Sequence, residues 1–392
     1  MRSLITTFLF ISLCQLSLGQ AIKNIVVFGD SYSDAGNHQK LTNGPLWSQN
    51  LATSWDASLY SFAFSGAVCS NRMYSTKQFI PSIEDQIEMY YNQSLQLNPE
   101  ETITIFWVGV NDIYHIYEQD DDDKGSKLKK VVDCISTNIR MVRRVFSTNR
   151  YIVFGIPPLE KMPYFTDKPD KEIKEHAANM LNEYLSNEVQ KLNKHIEHLK
   201  LDFMDIHRLL DDIVAQPDFF ELKNAVDPYW DVCQGQCMDD VNSYVWWDKV
   251  HLTGGVHRLI AESILQSSNE GAHLPDIEQV NKMIEQTKYR SPQYQPKAQT
   301  GLMQKLIEKM QKEKETTKEQ EKELEQDEQE NSSNLRYYVY FGISATVIVC
   351  IGFILFNKKS SNRASQLASL SNLLKKDDRG RFVPLRNMDS DV

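Results

Sequence analysis

A basic surplus is missing from this sequence: 43 lysines and arginines face 53 aspartates and glutamates, for a formal net charge of -10 at pH 7. That balance leaves no electrostatic footprint for nucleic acid. Cysteine is scarce, six residues in 392, and no histidine stands at ligand spacing beside any pair of them, which counts against a zinc site. Long apolar runs are absent between residues 20 and 336. That stretch therefore reads as globular, and its length allows one large domain with appendages. A composition of 41% hydrophobic and 24% charged residues suits an ordinary core.

Apolar runs occur only at the two ends. Arg2, an apolar stretch from Leu4 to Leu18 and the small residues Ser17 and Gly19 describe a secretory signal peptide over residues 1–19. Residues 337–356 carry no charge and are numerous enough to cross a bilayer. Tyr337, Tyr338 and Tyr340 form an aromatic belt on one side, and Lys358 and Lys359 stand on the other. The tail 357–392 holds eight Lys or Arg against four Asp, which places it in the cytoplasm. A lipid-anchor signal would end near the hydrophobic run, whereas a charged tail follows this one. The expected protein is a single-pass, type I membrane protein of the secretory pathway. Its globular domain is expected at 20–272 and a linker with a charged stalk at 273–336. Residues 311–330 are almost purely Lys, Glu and Gln and have no face to bury.

In that setting Cys14 leaves with the signal peptide and Cys350 lies in the span. Cys69, Cys134, Cys233 and Cys237 remain, an even number in an oxidising compartment. Cys233 and Cys237 are spaced to close a tight loop, leaving Cys69 for Cys134. Asn92-Gln93-Ser94 and Asn331-Ser332-Ser333 are glycosylation acceptors.

Inside the domain, apolar strand-like runs at 25–28, 59–64, 102–108, 151–156 and 201–206 alternate with stretches of helical spacing. The helical stretches are 83–91, 128–146, 173–196 and one beginning at Thr253. Between Ser31 and Leu59 a polar loop rich in Gly, Pro and Trp is expected. The four adjacent aspartates at 120–123 read as a solvated loop, since calcium ligands normally alternate. Strands alternating with helices predict an α/β domain, a mostly parallel sheet covered on both faces in three α/β/α layers.

Polar residues gather where these strands end, and in open parallel sheets that is where ligands bind. Ser31 follows the first strand, Gly66 the second and Asn111 the third, and Asp248 and His251 precede the last helix. Ester hydrolysis needs a nucleophile, a base, a group that orients the base, and donors for the developing oxyanion. Ser31 suits the first role and His251 the second. Asp248, three residues earlier, can hold the imidazole. The amide N–H groups of Ser31 and Gly66 and the Asn111 carboxamide are candidate oxyanion donors. Asp30, Ser33 and Asp112 read as structural, and Trp246 and Trp247 as core or pocket lining.

These residues resemble the GDSL-type hydrolases, also called SGNH hydrolases after Ser, Gly, Asn and His, matched in order by Ser31, Gly66, Asn111 and His251. FGDSYSDAGN is similar to the first block, with Tyr32 where Leu usually stands. SFAFSGAVCS is similar to the second, WVGVNDI to the third and WWDKVHLT to the last. GIPPLEKMP resembles a stretch common in the larger eukaryotic branch, and AVCS and the PPL run are similar to fungal members grouped with carbohydrate acetylesterases. The resemblance spans roughly residues 24–266. It implies a serine esterase acting through an acyl-enzyme without metal or organic cofactor, on small-molecule or carbohydrate esters, acetyl or short-chain. Lipid or phospholipid acyl hydrolysis is the second enzymatic reading, and a non-catalytic surface module retaining the fold is the third.

Overall fold

The computed structural model describes residues 21–313 and 316, apart from residues 76, 120, 121 and 268–272. Five parallel strands form its sheet: β1 (Asn24–Gly29), β2 (Ser58–Ser61), β3 (Thr102–Trp107), β4 (Arg150–Phe154) and β5 (Lys200–Met204), in the order β2-β1-β3-β4-β5. Val26 of β1 pairs with Tyr60 on one side and Thr104 on the other. Both central strands are buried on both faces, as their continuous apolar runs require in a parallel sheet with two helical covers.

The helices are α1 (Trp47–Ser54), α2 (Ile83–Asn92), α3 (Val110–Glu118), α4 (Lys124–Phe146), α5 (Lys171–His195), α6 (Ile206–Ala215), α7 (Tyr229–Cys233), α8 (Gly254–Ser267), α9 (Ile277–Met283) and α10 (Thr287–Arg290). They flank the sheet in two groups, α1 packing on α8 and α10, and α2 and α5 each packing on α4. The α/β expectation therefore holds. Helix α1 lies where a polar loop was expected. It is buried from Trp47 to Thr53, so it presents no polar stripe for periodicity to reveal. Gln49 supplies its start by accepting the Leu46 amide at 3.0 Å.

The strand order reverses between β1 and β3. At such a switch point the chain leaves the two carboxyl ends in opposite directions and opens a crevice. Ser31 follows β1 and Asn111 follows β3, so the crevice lies between them.

The sequence reading ends the globular domain at residue 272, and the structure extends it. Residues 287–303 run back over the edge strand β2 and helix α2, with Tyr289, Ser291, Tyr294 and Met303 buried. The Ser61 amide donates to Ser291 Oγ at 2.9 Å and the Tyr294 amide to Asn37 Oδ1 at 2.8 Å. Gln299 N donates to Asp85 at 2.7 Å, and Thr300 N and Leu302 N donate to the Glu88 carboxylate. Tyr294 stacks on Phe62 with ring centroids 4.1 Å apart, a contact worth about 1 kcal/mol beyond the area it buries. The linker expectation fails because side chains of the domain read this segment's backbone amides, which leaves no periodic pattern in its own sequence. Residues 302–313 are helical.

The signal peptide, most of the stalk, the span 337–356, the tail and Asn331 lie outside the described residues. Among the described residues no helix is long and apolar enough to cross a membrane. The disulfides join Cys69 to Cys134 and Cys233 to Cys237, the pairings expected from the spacing. Asn92 is exposed at the end of α2.

Candidate active site

The nucleophile turn begins where β1 stops. Asp30 is buried and accepts the Tyr32 amide on Oδ1 at 3.1 Å, while its carbonyl accepts the Ser33 amide at 3.0 Å. This pair of local bonds folds the chain sharply and leaves the side chain of Ser31 half-exposed between them.

Asp248 and His251 come from a second tight turn, between the paired residues Trp246 and Leu252. The amides of Val250 and His251 both donate to Asp248 Oδ1 at 2.8 Å, and Trp247 N donates to His251 O at 2.7 Å. His251 Nδ1 lies 2.9 and 2.8 Å from the two carboxylate oxygens. A carboxylate only accepts, so the ring hydrogen belongs on Nδ1 and Nε2 is left as the acceptor. Nε2 stands 3.0 Å from Ser31 Oγ. Burial disfavours the charged form of Asp248, but His251 and the two amides outweigh it and hold the carboxyl below its ordinary range.

The third component is the stretch 65–69 after β2, fixed from several sides. Asp34 Oδ2 accepts both Ser65 N at 2.8 Å and Ser65 Oγ at 3.0 Å, while the same carboxylate gathers the amides of Gly36, Asn37 and Gln39. Asn111 Nδ2 donates to Ala67 O at 2.9 Å, and Asp112 accepts Cys69 N at 3.1 Å and the Tyr74 hydroxyl at 2.9 Å. Gly66 sits inside this clamp at φ +89°, and a Cβ there would stand 2.7 Å from Ile80 Cδ1. The positive φ favours glycine, while the contact is with the tip of a side chain that can shift. The amides of Ser31 and Gly66 find no acceptor among the described residues. Asn111 Nδ2 retains a second hydrogen beyond the one given to Ala67.

The sequence candidates fall into two bonded groups: Ser31, His251 and Asp248 are hydrogen-bonded in a line, and Asn111 holds the Ala67 carbonyl, one residue after Gly66. Asp30 and Asp112 are structural, as expected. Burial pushes the Asp30 carboxyl up to about 8, assisted by the charge of Asp112 against the Tyr32 amide. Burial raises Asp112 to about 6 against the Tyr74 and Cys69 bonds. Trp246 is core, its Nε1 donating to Ala225 O at 3.0 Å, whereas Trp247 is half-buried beside Trp230.

Sequence reasoning missed Asp34, Asn37 and Tyr32. Asn37 Nδ2 donates to the carbonyls of Ser61 and Ala63, and its Oδ1 receives Tyr294 N. The available signal was the first block itself, where a buried-turn Asp and Asn follow the nucleophile by three and six residues. Tyr32 packs against Trp107 at 5.0 Å and accepts the Trp47 indole N–H on its carbonyl at 3.1 Å.

The sequence model of the GDSL-like Lipase/Acylhydrolase family matches residues 25–264. The thermolabile hemolysin of Vibrio parahaemolyticus is 22% identical over 283 residues, an alignment that takes in 63% of this chain and 64% of the hemolysin. The acetylesterase of Hypocrea jecorina is 23% identical over 307 residues, 62% of this chain and 88% of that enzyme. Among solved structures, the acetyl xylan esterase AlAXEase aligns with 62% of this chain and 98% of its own, at 15% identity and a TM-score of 0.37.

Proposed function

This chain belongs to the GDSL-like lipase/acylhydrolase family, and from that premise we propose a serine esterase that works through an acyl-enzyme. Ser31 Oγ adds to the ester carbonyl while its proton passes to His251 Nε2. Asp248 keeps the ring in the required tautomer and balances the imidazolium charge. The carbonyl oxygen, now negative, takes hydrogen bonds from Ser31 N, Gly66 N and Asn111 Nδ2. Collapse of the adduct breaks the bond to the alcohol oxygen, which receives the proton from His251 and departs, leaving Ser31 acylated. Water then repeats the sequence, His251 taking its proton, and the carboxylic acid is released.

The observation that carries this reading is the continuous line from Ser31 Oγ through His251, 3.0 Å on one side and 2.8 Å on the other. Acetyl and other short-chain esters, carbohydrate acetates among them, are the proposed substrates, and the acetylesterase relative supports that choice. The proposed setting is the secretory pathway, with the domain outside the cytosol and residues 337–356 as the anchor. Full-length protein should then resist extraction by alkaline carbonate; release by that wash would remove the anchor.

The test of the reaction is labelling with a fluorophosphonate. The parent should be modified at Ser31, and Ser31→Ala should lose both labelling and at least about 10³-fold in p-nitrophenyl acetate turnover. Label on another residue, or activity retained in Ser31→Ala, would overturn the assignment.

A further inference from the structure

The two disulfides sit in unlike places. Cys69 and Cys134, 65 residues apart, both pack against the main core. Cys233 and Cys237 are four apart and stand outside that core. Cys233 is buried, but Cys237 is half-buried, and its neighbours Gln234, Gly235, Gln236 and Met238 are all exposed. A small solute therefore reaches one end of this bond through a short surface loop. Closing so few residues removes little disorder from the unfolded chain, so the bond contributes less to global stability than its long-range counterpart. The hydrolytic steps leave it without a role.

What this bond holds is the support of the catalytic turn. Helix α7 has only five residues, too few to persist as a helix by itself, and it ends on Cys233. Beyond it Gln234 and Gly235 are both left-handed, at φ +46° and +78°, a conformation unfavourable to a side chain such as that of Gln234. The disulfide keeps this return closed. From α7, Tyr229 N donates to Trp246 O and Trp230 N to Trp247 O, each at 2.9 Å. Asp231 pairs with Lys249 at 3.4 Å, and the Tyr229 ring lies 6.0 Å from that of Trp247. These ties reach three residues of the turn that carries Asp248 and His251. Trp247 N then passes the constraint on by donating to His251 O.

We propose that Cys233–Cys237 is a redox switch on the esterase, opened by a small-molecule thiol and closed by re-oxidation. The proposal rests on the esterase reading above and assigns its regulation. The reductant's thiolate attacks Cys237 Sγ, forming a mixed disulfide and breaking the bond to Cys233 Sγ, which leaves as a thiolate and takes up a proton. The Tyr244 hydroxyl, 3.6 Å from Cys233 Sγ and 4.0 Å from Cys237 Sγ, is placed to donate to the departing sulfur. A second thiol then attacks the reductant's sulfur in the mixed disulfide and expels Cys237. Two reductant thiols are oxidised to one disulfide, and the protein's bond is reduced to two thiols. With the loop released, α7 unwinds from Trp246 and Trp247, and His251 loses its alignment with Ser31 Oγ. The core, with Cys69–Cys134 intact, stays folded.

Full-length protein treated with graded dithiothreitol, alkylated with iodoacetamide and mapped by mass spectrometry tests the switch. Cys233 and Cys237 should be alkylated at lower dithiothreitol than Cys69 and Cys134. At that point kcat on p-nitrophenyl acetate should be about tenfold lower with KM little changed. Tryptophan emission should shift as α7 frees Trp230 and Trp247, while far-UV circular dichroism stays largely as it was. Removing the thiol and adding oxidised glutathione should restore kcat. The double variant Cys233→Ser, Cys237→Ser should start with the lowered kcat and no longer respond to dithiothreitol; if it fails to fold, the parent's titration decides alone. Simultaneous reduction of both disulfides would overturn the switch. So would an undiminished kcat when only Cys233 and Cys237 are alkylated, or a serine variant as active as the oxidised parent. An oxidised parent that hydrolyses no ester strikes the esterase reading alone, since the order of alkylation and the tryptophan shift still decide whether the bond governs the turn.

Discussion

The Tyr32 hydroxyl donates to the carbonyl oxygen of Val250 at 2.9 Å, tying the residue after the nucleophile to the residue before the base across 218 positions of chain. A leucine at this position has no hydroxyl and cannot make that bond. Burial pushes the Tyr32 phenol well above its ordinary value, so it stays a donor throughout the working pH range. Tyr32→Phe is expected to cost about 1 kcal/mol, a fall of roughly 2–4 °C in Tm for a domain of this size. It should also lower kcat by roughly three- to tenfold, because the two turns lose a common anchor. Thermal melts and steady-state kinetics on one ester check both; an unchanged kcat would make the bond purely structural.

Asn111→Ala removes one oxyanion donor and is expected to reduce kcat by about 10²- to 10³-fold with little change in KM. Because Asn111 Nδ2 also holds Ala67 O, the melt should be recorded alongside. A kcat within twofold or so of the parent would take Asn111 out of the oxyanion site.

The segment 287–303 should be indispensable. A protein ending at residue 313 is expected to be soluble and active, since the buried contacts of Tyr289, Ser291, Tyr294 and Met303 are kept. One ending at residue 286 loses them all and should be inactive and aggregated. Tyr294→Ala alone should cost about 3 kcal/mol, read as a shift in the denaturant midpoint. Equal activity of the two truncations would return the segment to the status of a linker.

The raised carboxyl of Asp30 has a definite sign. Below the ordinary carboxylate value both folded and unfolded chains hold this proton. Between 3.8 and about 8 only the folded chain does, so stability falls as pH rises across that window. Asp112 adds a loss of the same sign up to about 6. Asp248 acts oppositely, its stabilisation disappearing only as the solution is acidified below 3.8. Asp30→Asn keeps the Oδ1 acceptor for Tyr32 N and removes the titration. Its Tm should decline less than the parent's between pH 5 and 8, as followed by scanning fluorimetry. Parallel curves would show that Asp30 does not titrate there.

Much of this was legible in the primary structure because the informative residues sit where regular structure stops. The central strands announce themselves through runs such as Ile25 to Phe28, and the polar breaks after them carry Ser31, Gly66 and Asn111. Asp248 and His251 are three apart on one turn, so their meeting is local. Helix α1 was illegible because almost every side chain from Trp47 to Thr53 is buried, which erases the amphipathic contrast. The extension to residue 303 escaped for a different reason: its fixing groups are Asn37, Asp85 and Glu88, hundreds of positions upstream. Tyr32 could be seen as a departure from leucine, but only three-dimensional proximity reveals that Val250 O is its partner.

The clasp between Asn37 and Tyr294 also sets a timetable for synthesis. Asn37 emerges from the ribosome 257 residues ahead of the backbone amide it must receive, and Ser31 precedes His251 by 220. At a rate of about 5–20 residues per second, the nucleophile turn waits roughly 10–50 seconds for these partners. During that interval β1 and β3 already expose their two-sided apolar runs, with the edge at β2 uncovered. A nascent chain of this kind is therefore chemically silent and aggregation-prone until its last tenth of globular sequence arrives.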